Sequence, residues 1–157
     1  MTKFGYMAAV IAGLAGICTA AVAEPVATVS ASAKPASVAR GGHGALTIVF
    51  DVQSGYHINA HKLTDDNFIP TVVTPKAAAG VSYGAPVYPA SHVVKMEGVG
   101  DIQVYTGHVT VKVPYTVAKS AKPGKISLGA DISYQGCNAT SCYPPVKATA
   151  SASVSVK

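Results

Sequence analysis

Apolar and polar residues alternate along several short stretches of the chain, a pattern typical of β-strands that are buried on one face. The alternation is clearest over 46–52, 108–117 and 147–156. Further short strands are predicted at 56–60, 69–73, 81–88, 101–105 and 125–135. The predicted turns and loops between them are Ser54-Gly55, 62–67, 90–100, Thr106-Gly107 and Lys122-Pro123-Gly124. After the N-terminal segment, no stretch as long as a typical helix has a helical period.

About seven or eight short strands with regularly spaced turns predict an all-β fold, an immunoglobulin-like antiparallel β-sandwich. The chain contains no Trp, so the usual Cys…Trp…Cys set between the sheets is missing. The likeness to immunoglobulin domains is therefore expected in the layout of strands only. The residues expected to form the core are Ile48, Phe50, Ile58, Val111, Val113 and Ile132.

The N-terminal residues 1–23 have the three parts of a secretory signal peptide. Lys3 provides the positive charge, an apolar stretch of small residues follows, and Ala21-Val22-Ala23 fits the cleavage rule, which predicts a mature N-terminus at Glu24. The alternatives are an uncleaved membrane anchor and a lipid-modified Cys18. We expect export to the periplasm, a flexible leader over 24–43 with at most one edge strand, and the sandwich over 44–157.

The composition and charge of the chain argue against a nucleic-acid-binding protein. The formal net charge is +5, but the lysines are scattered, with no basic run and no interleaved aromatic residues. This distribution favours a solvated surface over nucleic-acid binding. The signal peptide and the two cysteines beyond it agree with an oxidising compartment.

Cys137 and Cys142 are the cysteines that remain after the signal segment, and the four residues Asn138-Ala139-Thr140-Ser141 separate them. A loop this short constrains the unfolded chain weakly, so a disulfide would add only about 2 kcal/mol. The pair is either redox-active or a small structural disulfide. No helix N-terminus lies nearby and Lys147 is the nearest cation downstream, which favours a passive carrier over a strongly oxidising catalyst. The spacing is not the Cys-x-x-Cys of thioredoxins.

The histidines offer a different chemistry. His57 and His61 could join Cys137 and Cys142 in a tetrahedral metal site. The spacing matches no established ligand pattern, so packing or hydrogen bonding is the simpler interpretation of His57. Asp65-Asp66 is read as a turn. No phosphate-binding glycine loop or nucleophile elbow is present in the sequence, and no cofactor is expected.

Four motifs give the chain a family resemblance. They are Gly55-Tyr56-His57-Ile58-Asn59-Ala60, Ile69-Pro70-Thr71, Val104-Tyr105-Thr106-Gly107 and Tyr134-Gln135-Gly136-Cys137…Cys142-Tyr143-Pro144-Pro145. In this order, over about 44–156, the sequence resembles the N-terminal periplasmic domain of the thiol:disulfide interchange protein DsbD. The cysteine block is the most specific of the four. The resemblance implies an immunoglobulin-like domain with one redox-active cysteine pair.

The resemblance also implies roles. Cys142 would form the mixed disulfide with thioredoxin-fold envelope partners and Cys137 would resolve it. Tyr56, His57, Tyr134, Tyr143 and Pro144 would support the pair, and a shielding cap loop would lie within 91–98, where this sequence has no aromatic residue. With no membrane domain before Lys157, the electron donor is expected on a separate membrane chain. The alternative to a redox carrier is a non-redox interaction module in which the disulfide rigidifies a docking loop.

Overall fold

The computed structural model describes residues 26–157. This part of the chain contains strands and no helix. No helix in it is long and apolar enough to cross a membrane. The predicted signal peptide, its cleavage site and Cys18 lie outside the described residues. The strands are β1 Ala27–Lys34, β2 Ser37–Val38, β3 His43–Val52, β4 His57–Asn59, β5 Val72–Pro75, β6 Val81–Tyr83, β7 His92–Met96, β8 Gly100–Tyr105, β9 His108–Val117, β10 Gly124–Tyr134, β11 Gly136–Cys137 and β12 Val146–Val156.

The strands form three four-stranded sheets. The first sheet has the order β1-β3-β9-β6, the second β2-β12-β10-β5, and the third β11-β4-β8-β7. All pairs are antiparallel except β2 with β12, which is parallel. The third sheet carries Cys137 on β11 and the segment predicted as a cap on β7.

The core lies between the inner faces of the first two sheets. Alternate residues of β3, β9 and β10 point inward, as the period of two requires. Phe50 from β3 meets Tyr134 from β10 edge to face, with ring centroids 5.7 Å apart. All six residues expected in the core are buried, and each is at most 2% exposed. The prediction of an all-β, immunoglobulin-like sandwich is confirmed.

Most of the predicted turns and strands lie where the sequence placed them. Thr106-Gly107 is a turn between β8 and β9, and Gly107 has φ +62°, a conformation that favours glycine. The turn is not that of a hairpin, because β8 pairs in the third sheet and β9 pairs in the first. The strand predicted at 81–88 is shorter than expected, since β6 ends at Tyr83 and only Val87 bridges back to Lys112 on β9.

Two segments predicted as irregular are strands. Residues 24–43 were interpreted as a flexible leader, but β1 pairs along its whole length with β3, from Ala27 opposite Val52 to Lys34 opposite Ala45. β1 is an edge strand, as the prediction allowed, and β2 also belongs to this segment. The leader interpretation is wrong over these strands because small Ala and Ser side chains alternate there with a period of two, and the alanines pack against the core.

The predicted loop 90–100 is also wrong. β7 and β8 form a hairpin in which Val94 lies opposite Ile102 and Met96 opposite Gly100. The glycines at the end of this segment belong to the hairpin turn, where Gly98 and Gly100 have φ +75° and +115°. β7 is an edge strand of the third sheet, with one face exposed and the other buried. Val93 points to solvent, whereas Met96 is buried.

Candidate functional site

Cys137 lies on β11, an edge strand of the third sheet, and is buried. β10 ends at Tyr134, and after Gln135 the chain forms the short strand β11, in which Cys137 lies opposite His57 of β4. Cys137 is 0% exposed. Gly136 precedes it, and a Cβ atom at this position would lie 2.6–2.8 Å from side-chain atoms of Val26. The glycine of the Tyr-Gln-Gly-Cys motif is therefore required because the segment before β1 passes so close to β11.

Cys142 returns to Cys137 through a hydrogen-bonded loop. The side-chain oxygen of Asn138 accepts hydrogen bonds from the backbone N–H groups of Thr140 (3.0 Å) and Ser141 (2.8 Å). The N–H of Asn138 donates to the carbonyl of Ser141 at 2.9 Å. The loop closes on itself, and Cys137 and Cys142 form a disulfide with Cα atoms 4.0 Å apart. Cys142 is half-buried and Ser141 beside it is exposed.

A small apolar cluster covers the Cys142 side of the disulfide. Its buried members are Met96, Ile102 and Val104, from the β7–β8 hairpin, and the half-buried Phe68, Val94 and Cys142 pack against it. The hairpin overlaps the segment 91–98 in which a cap was expected. The aromatic side chain of this cluster comes from Phe68, in the loop before β5, and sequence reasoning missed it because it lies outside every motif.

Tyr143 forms the exposed rim of the site. Its N–H donates to the carbonyl of Gly136 at 2.9 Å, and its hydroxyl accepts a hydrogen bond from the Asn138 side chain at 3.0 Å. The Tyr143 ring lies against Tyr56, with centroids 6.0 Å apart and planes tilted by 46°. The phenol of Tyr143 also raises the pKa of Tyr56 above its ordinary value. Pro144 is exposed next to Tyr143, so the site presents an apolar rim to solvent.

His57 lies beside Cys137 and is almost completely buried, with 7% of its surface exposed. Its Nε2 atom has no hydrogen-bond partner among the described residues. Burial lowers the pKa of His57, and the nearby His92 lowers it further. The imidazole is therefore neutral at physiological pH.

The remaining predicted residues lie apart from the disulfide or serve the core. The hydroxyl of Tyr134 donates to the carbonyl of Ala27 at 3.0 Å, which ties β10 to β1 inside the main core. His61 stacks on Tyr88 at 3.8 Å and donates from Nδ1 to the carbonyl of Thr71. In the part of the chain that the structure describes, no three His, Cys, Asp or Glu side chains group as a metal site would require. The metal alternative has no structural support.

Two amide side chains next to the cysteines were not singled out from the sequence. Asn59 is 0% exposed, and its side-chain nitrogen donates to the carbonyl of Ile69 (3.0 Å) and to the side-chain oxygen of Gln135 (3.1 Å). The side-chain nitrogen of Gln135 donates in turn to the carbonyl of Tyr143 at 3.1 Å. The side-chain oxygen of Asn59 faces the sulfur of Cys137 at 3.9 Å. The role of a buried polar residue of this kind can be recognised from a sequence only when its hydrogen-bond partners are known.

The fold and the site together define a β-sandwich domain with one unequally exposed cysteine pair. The model of the family "Thiol:disulfide interchange protein DsbD, N-terminal" matches residues 23–153, and the chain belongs to this family of thiol:disulfide interchange domains. The predicted family is thus confirmed. No match was found among curated proteins.

Several solved structures of low sequence identity are similar to this chain. The N-terminal periplasmic domain of ScsB from Proteus mirabilis has 10% identity and a TM-score of 0.51, over 78% of this chain and 43% of that chain. The reduced DsbD N-terminal domain from Neisseria meningitidis has 24% identity and a TM-score of 0.43, over 66% of this chain and 72% of that chain. A structure of the complex between the DsbD and PilB N-terminal domains from the same organism has 24% identity and a TM-score of 0.44, over 67% and 71% of the two chains.

Proposed function

We propose that the chain is a periplasmic electron carrier that relays reducing equivalents through Cys137 and Cys142 to thioredoxin-fold partners. Its electron donor is a membrane protein. It acts as a component of a protein-disulfide reductase system rather than as a stand-alone catalyst. It needs no cofactor, because thiol–disulfide exchange moves the electrons between sulfur atoms.

The unequal burial of the two cysteines is the observation that carries the proposal. Exchange begins when one sulfur is reached by a partner, and the other sulfur then resolves the mixed disulfide. Cys137 is completely buried, whereas Cys142 is half-buried at the end of an exposed loop. This asymmetry supports Cys142 as the sulfur that bonds to partners and Cys137 as the resolving sulfur.

The apolar rim around Cys142 supports a protein partner over a small thiol. Tyr143 is 37% exposed and Ile69 is 37% exposed, and both contact Gln135 through hydrogen bonds of their backbones. Pro144 extends the same rim. Partly exposed aromatic and aliphatic side chains around a reactive group are typical of protein docking surfaces.

The experiment that tests the proposal is trapping of a mixed disulfide in the envelope. The Cys137→Ala variant keeps Cys142 and loses the resolving thiol, so we expect it to accumulate covalent complexes with thioredoxin-fold proteins. Cys142→Ala is the matched control and should trap little, because its remaining sulfur is buried. Complexes are detected on non-reducing gels and identified by mass spectrometry.

Two outcomes of this experiment count against the proposal. Equal trapping by both variants contradicts the assigned roles of the two sulfurs. No trapping by either variant, tested against a panel of envelope thioredoxin-fold proteins, favours the alternative of an immunoglobulin-like interaction module with a structural disulfide.

A further inference from the structure

The environment of the Cys137 sulfur differs from that of Cys142 in one polar contact. Cys142 packs against the apolar cluster of the β7–β8 hairpin. Cys137 instead faces the side-chain oxygen of Asn59, 3.9 Å from its sulfur, and both residues are 0% exposed. A buried amide oxygen next to a buried sulfur is an arrangement whose energy depends on whether that sulfur carries a hydrogen.

The orientation of the Asn59 amide is fixed by its other partners. Its nitrogen donates both hydrogens, one to the carbonyl of Ile69 and one to the side-chain oxygen of Gln135. Rotating the amide by half a turn would place its oxygen against these two acceptor oxygens. Gln135 is itself fixed, since its oxygen also accepts from the N–H of Ile69 at 3.3 Å and its nitrogen donates to the carbonyl of Tyr143. The Asn59 oxygen must therefore face Cys137.

In the oxidised protein, residues 26–157 provide no hydrogen-bond donor to this oxygen. The sulfur of Cys137 is bonded to Cys142 and carries no hydrogen, and no other described residue donates to the Asn59 side-chain oxygen. Reduction breaks the bond between the two sulfurs and places one hydrogen on each. The Cys137 thiol can then donate to the oxygen that already faces it.

We propose that Asn59 is a positioning residue that favours the dithiol form of the pair, because its buried side-chain oxygen gains a hydrogen-bond donor only when Cys137 is reduced. An unpartnered buried acceptor destabilises the state that contains it, which here is the disulfide. The reduced pair is therefore less readily oxidised than it would be without this hydrogen bond. The inference rests on the proposed function in one respect: it assumes that the protein uses both the disulfide and the dithiol form.

The first test is the redox equilibrium with glutathione, in which two glutathione thiols reduce the protein disulfide and become one glutathione disulfide. All proteins carry Cys18→Ser, so that only Cys137 and Cys142 react. We expect Asn59→Leu to shift the equilibrium toward the protein disulfide about tenfold, which corresponds to roughly 30 mV for a two-electron couple. An unchanged equilibrium in a folded Asn59→Leu protein overturns the proposal.

Thr71→Val is the matched control. The Thr71 hydroxyl is buried and donates to the backbone carbonyl of Asn59 at 2.5 Å, so this variant removes a hydrogen bond to the same residue without altering the oxygen that faces Cys137. It should leave the glutathione equilibrium within twofold of the parent protein. A shift as large as that of Asn59→Leu would show that the effect is general loosening, and would overturn the proposal.

The second test keeps Asn59 and does not depend on its replacement folding. In the protein with both Cys18→Ser and Cys142→Ser, Cys137 is the only thiol, and its S–H stretching band in the infrared spectrum reports hydrogen bonding directly. We expect a band at lower frequency than that of a free thiol, and a band at the free-thiol frequency overturns the proposal. Neither test involves a partner protein. Failed trapping together with a lowered S–H frequency would therefore reject the proposed relay and leave this inference standing.

Discussion

Gly136 occupies a position where even one added methyl group should destabilise the fold. In Gly136→Ala the new Cβ would lie 2.6 Å from Cγ1, 2.7 Å from Cβ and 2.8 Å from Cγ2 of Val26. Cβ atoms in folded proteins essentially never come this close to a neighbour, so Val26 or β11 must move. Val26 cannot move freely, because its carbonyl accepts a hydrogen bond from the N–H of Gln53 at 3.0 Å.

The expected magnitude follows from two opposing terms. Overpacking of one methyl group typically costs about 1–3 kcal/mol. Replacing glycine by alanine within a strand stabilises the fold by roughly 0.5–1 kcal/mol, because it lowers the conformational entropy of the unfolded chain. We therefore expect Gly136→Ala to lower the free energy of unfolding by about 1–2 kcal/mol, measured by equilibrium urea denaturation with an unchanged m-value.

A double-mutant cycle separates the clash from other causes. Val26→Gly removes all three contacting atoms, so Gly136→Ala made in that background should be neutral or slightly stabilising. The coupling energy between the two sites should then be about 1–3 kcal/mol. If Gly136→Ala costs the same in both backgrounds, the close approach of Val26 does not explain why this position is glycine.

The remaining predictions concern the disulfide, the core and His57. Reduction of the disulfide should lower the free energy of unfolding by about 2 kcal/mol or less, because the loop between Cys137 and Cys142 is short; loss of cooperative urea unfolding in dithiothreitol would instead make the pair structural. Phe50→Ala should cost about 3–5 kcal/mol in the same assay, since Phe50 is 0% exposed and packs on Tyr134, and a cost below about 1 kcal/mol would contradict its place in the core. The lowered pKa of His57 means that the unfolded chain binds more protons than the fold as the pH falls below about 6.5. Stability should be complete above that pH and decrease as the pH falls through the folded pKa, and His57→Leu should show a weaker decrease; identical pH profiles would refute the burial of this imidazole.

The sequence predicted the fold class and the main core because their signal is local. Leu46, Ile48 and Phe50 alternate with polar or less buried neighbours, as do Val109, Val111 and Val113, and these strands pair as antiparallel neighbours in the first sheet. The sequence does not predict β1 as a regular strand, because its small side chains give a weak strand signal. β1 is a strand because it pairs with β3 along its whole length. β7 was missed because the glycines near it were read as loop residues when they form the turn of a hairpin.

The candidate site was predictable only where it coincides with a motif. Cys137, Cys142, Tyr56, His57 and Tyr143 lie together in the structure, and all were identified from the sequence. Phe68 reaches the site from a loop outside the motifs, and its contacts depend on how sheets and loops meet. Asn59 lies in the same motif as His57, but the sequence does not show that its side chain faces Cys137. A buried asparagine has no sequence pattern of its own, because its role depends on the three groups that its amide faces.

The β7–β8 hairpin has its own small apolar cluster, separate from the core between the first two sheets. The cooperativity of opening is therefore expected to differ between the two parts of the molecule. Only Met96, Ile102 and Val104 are buried in the hairpin cluster, so lifting it exposes little apolar surface and leaves the sandwich intact. Backbone amides of β7 should then exchange with solvent by local opening, and those of β3 and β9 only by global unfolding. Substitutions in the hairpin can thus change how readily the disulfide is reached while the fold keeps its stability, so access and folding are free to evolve independently.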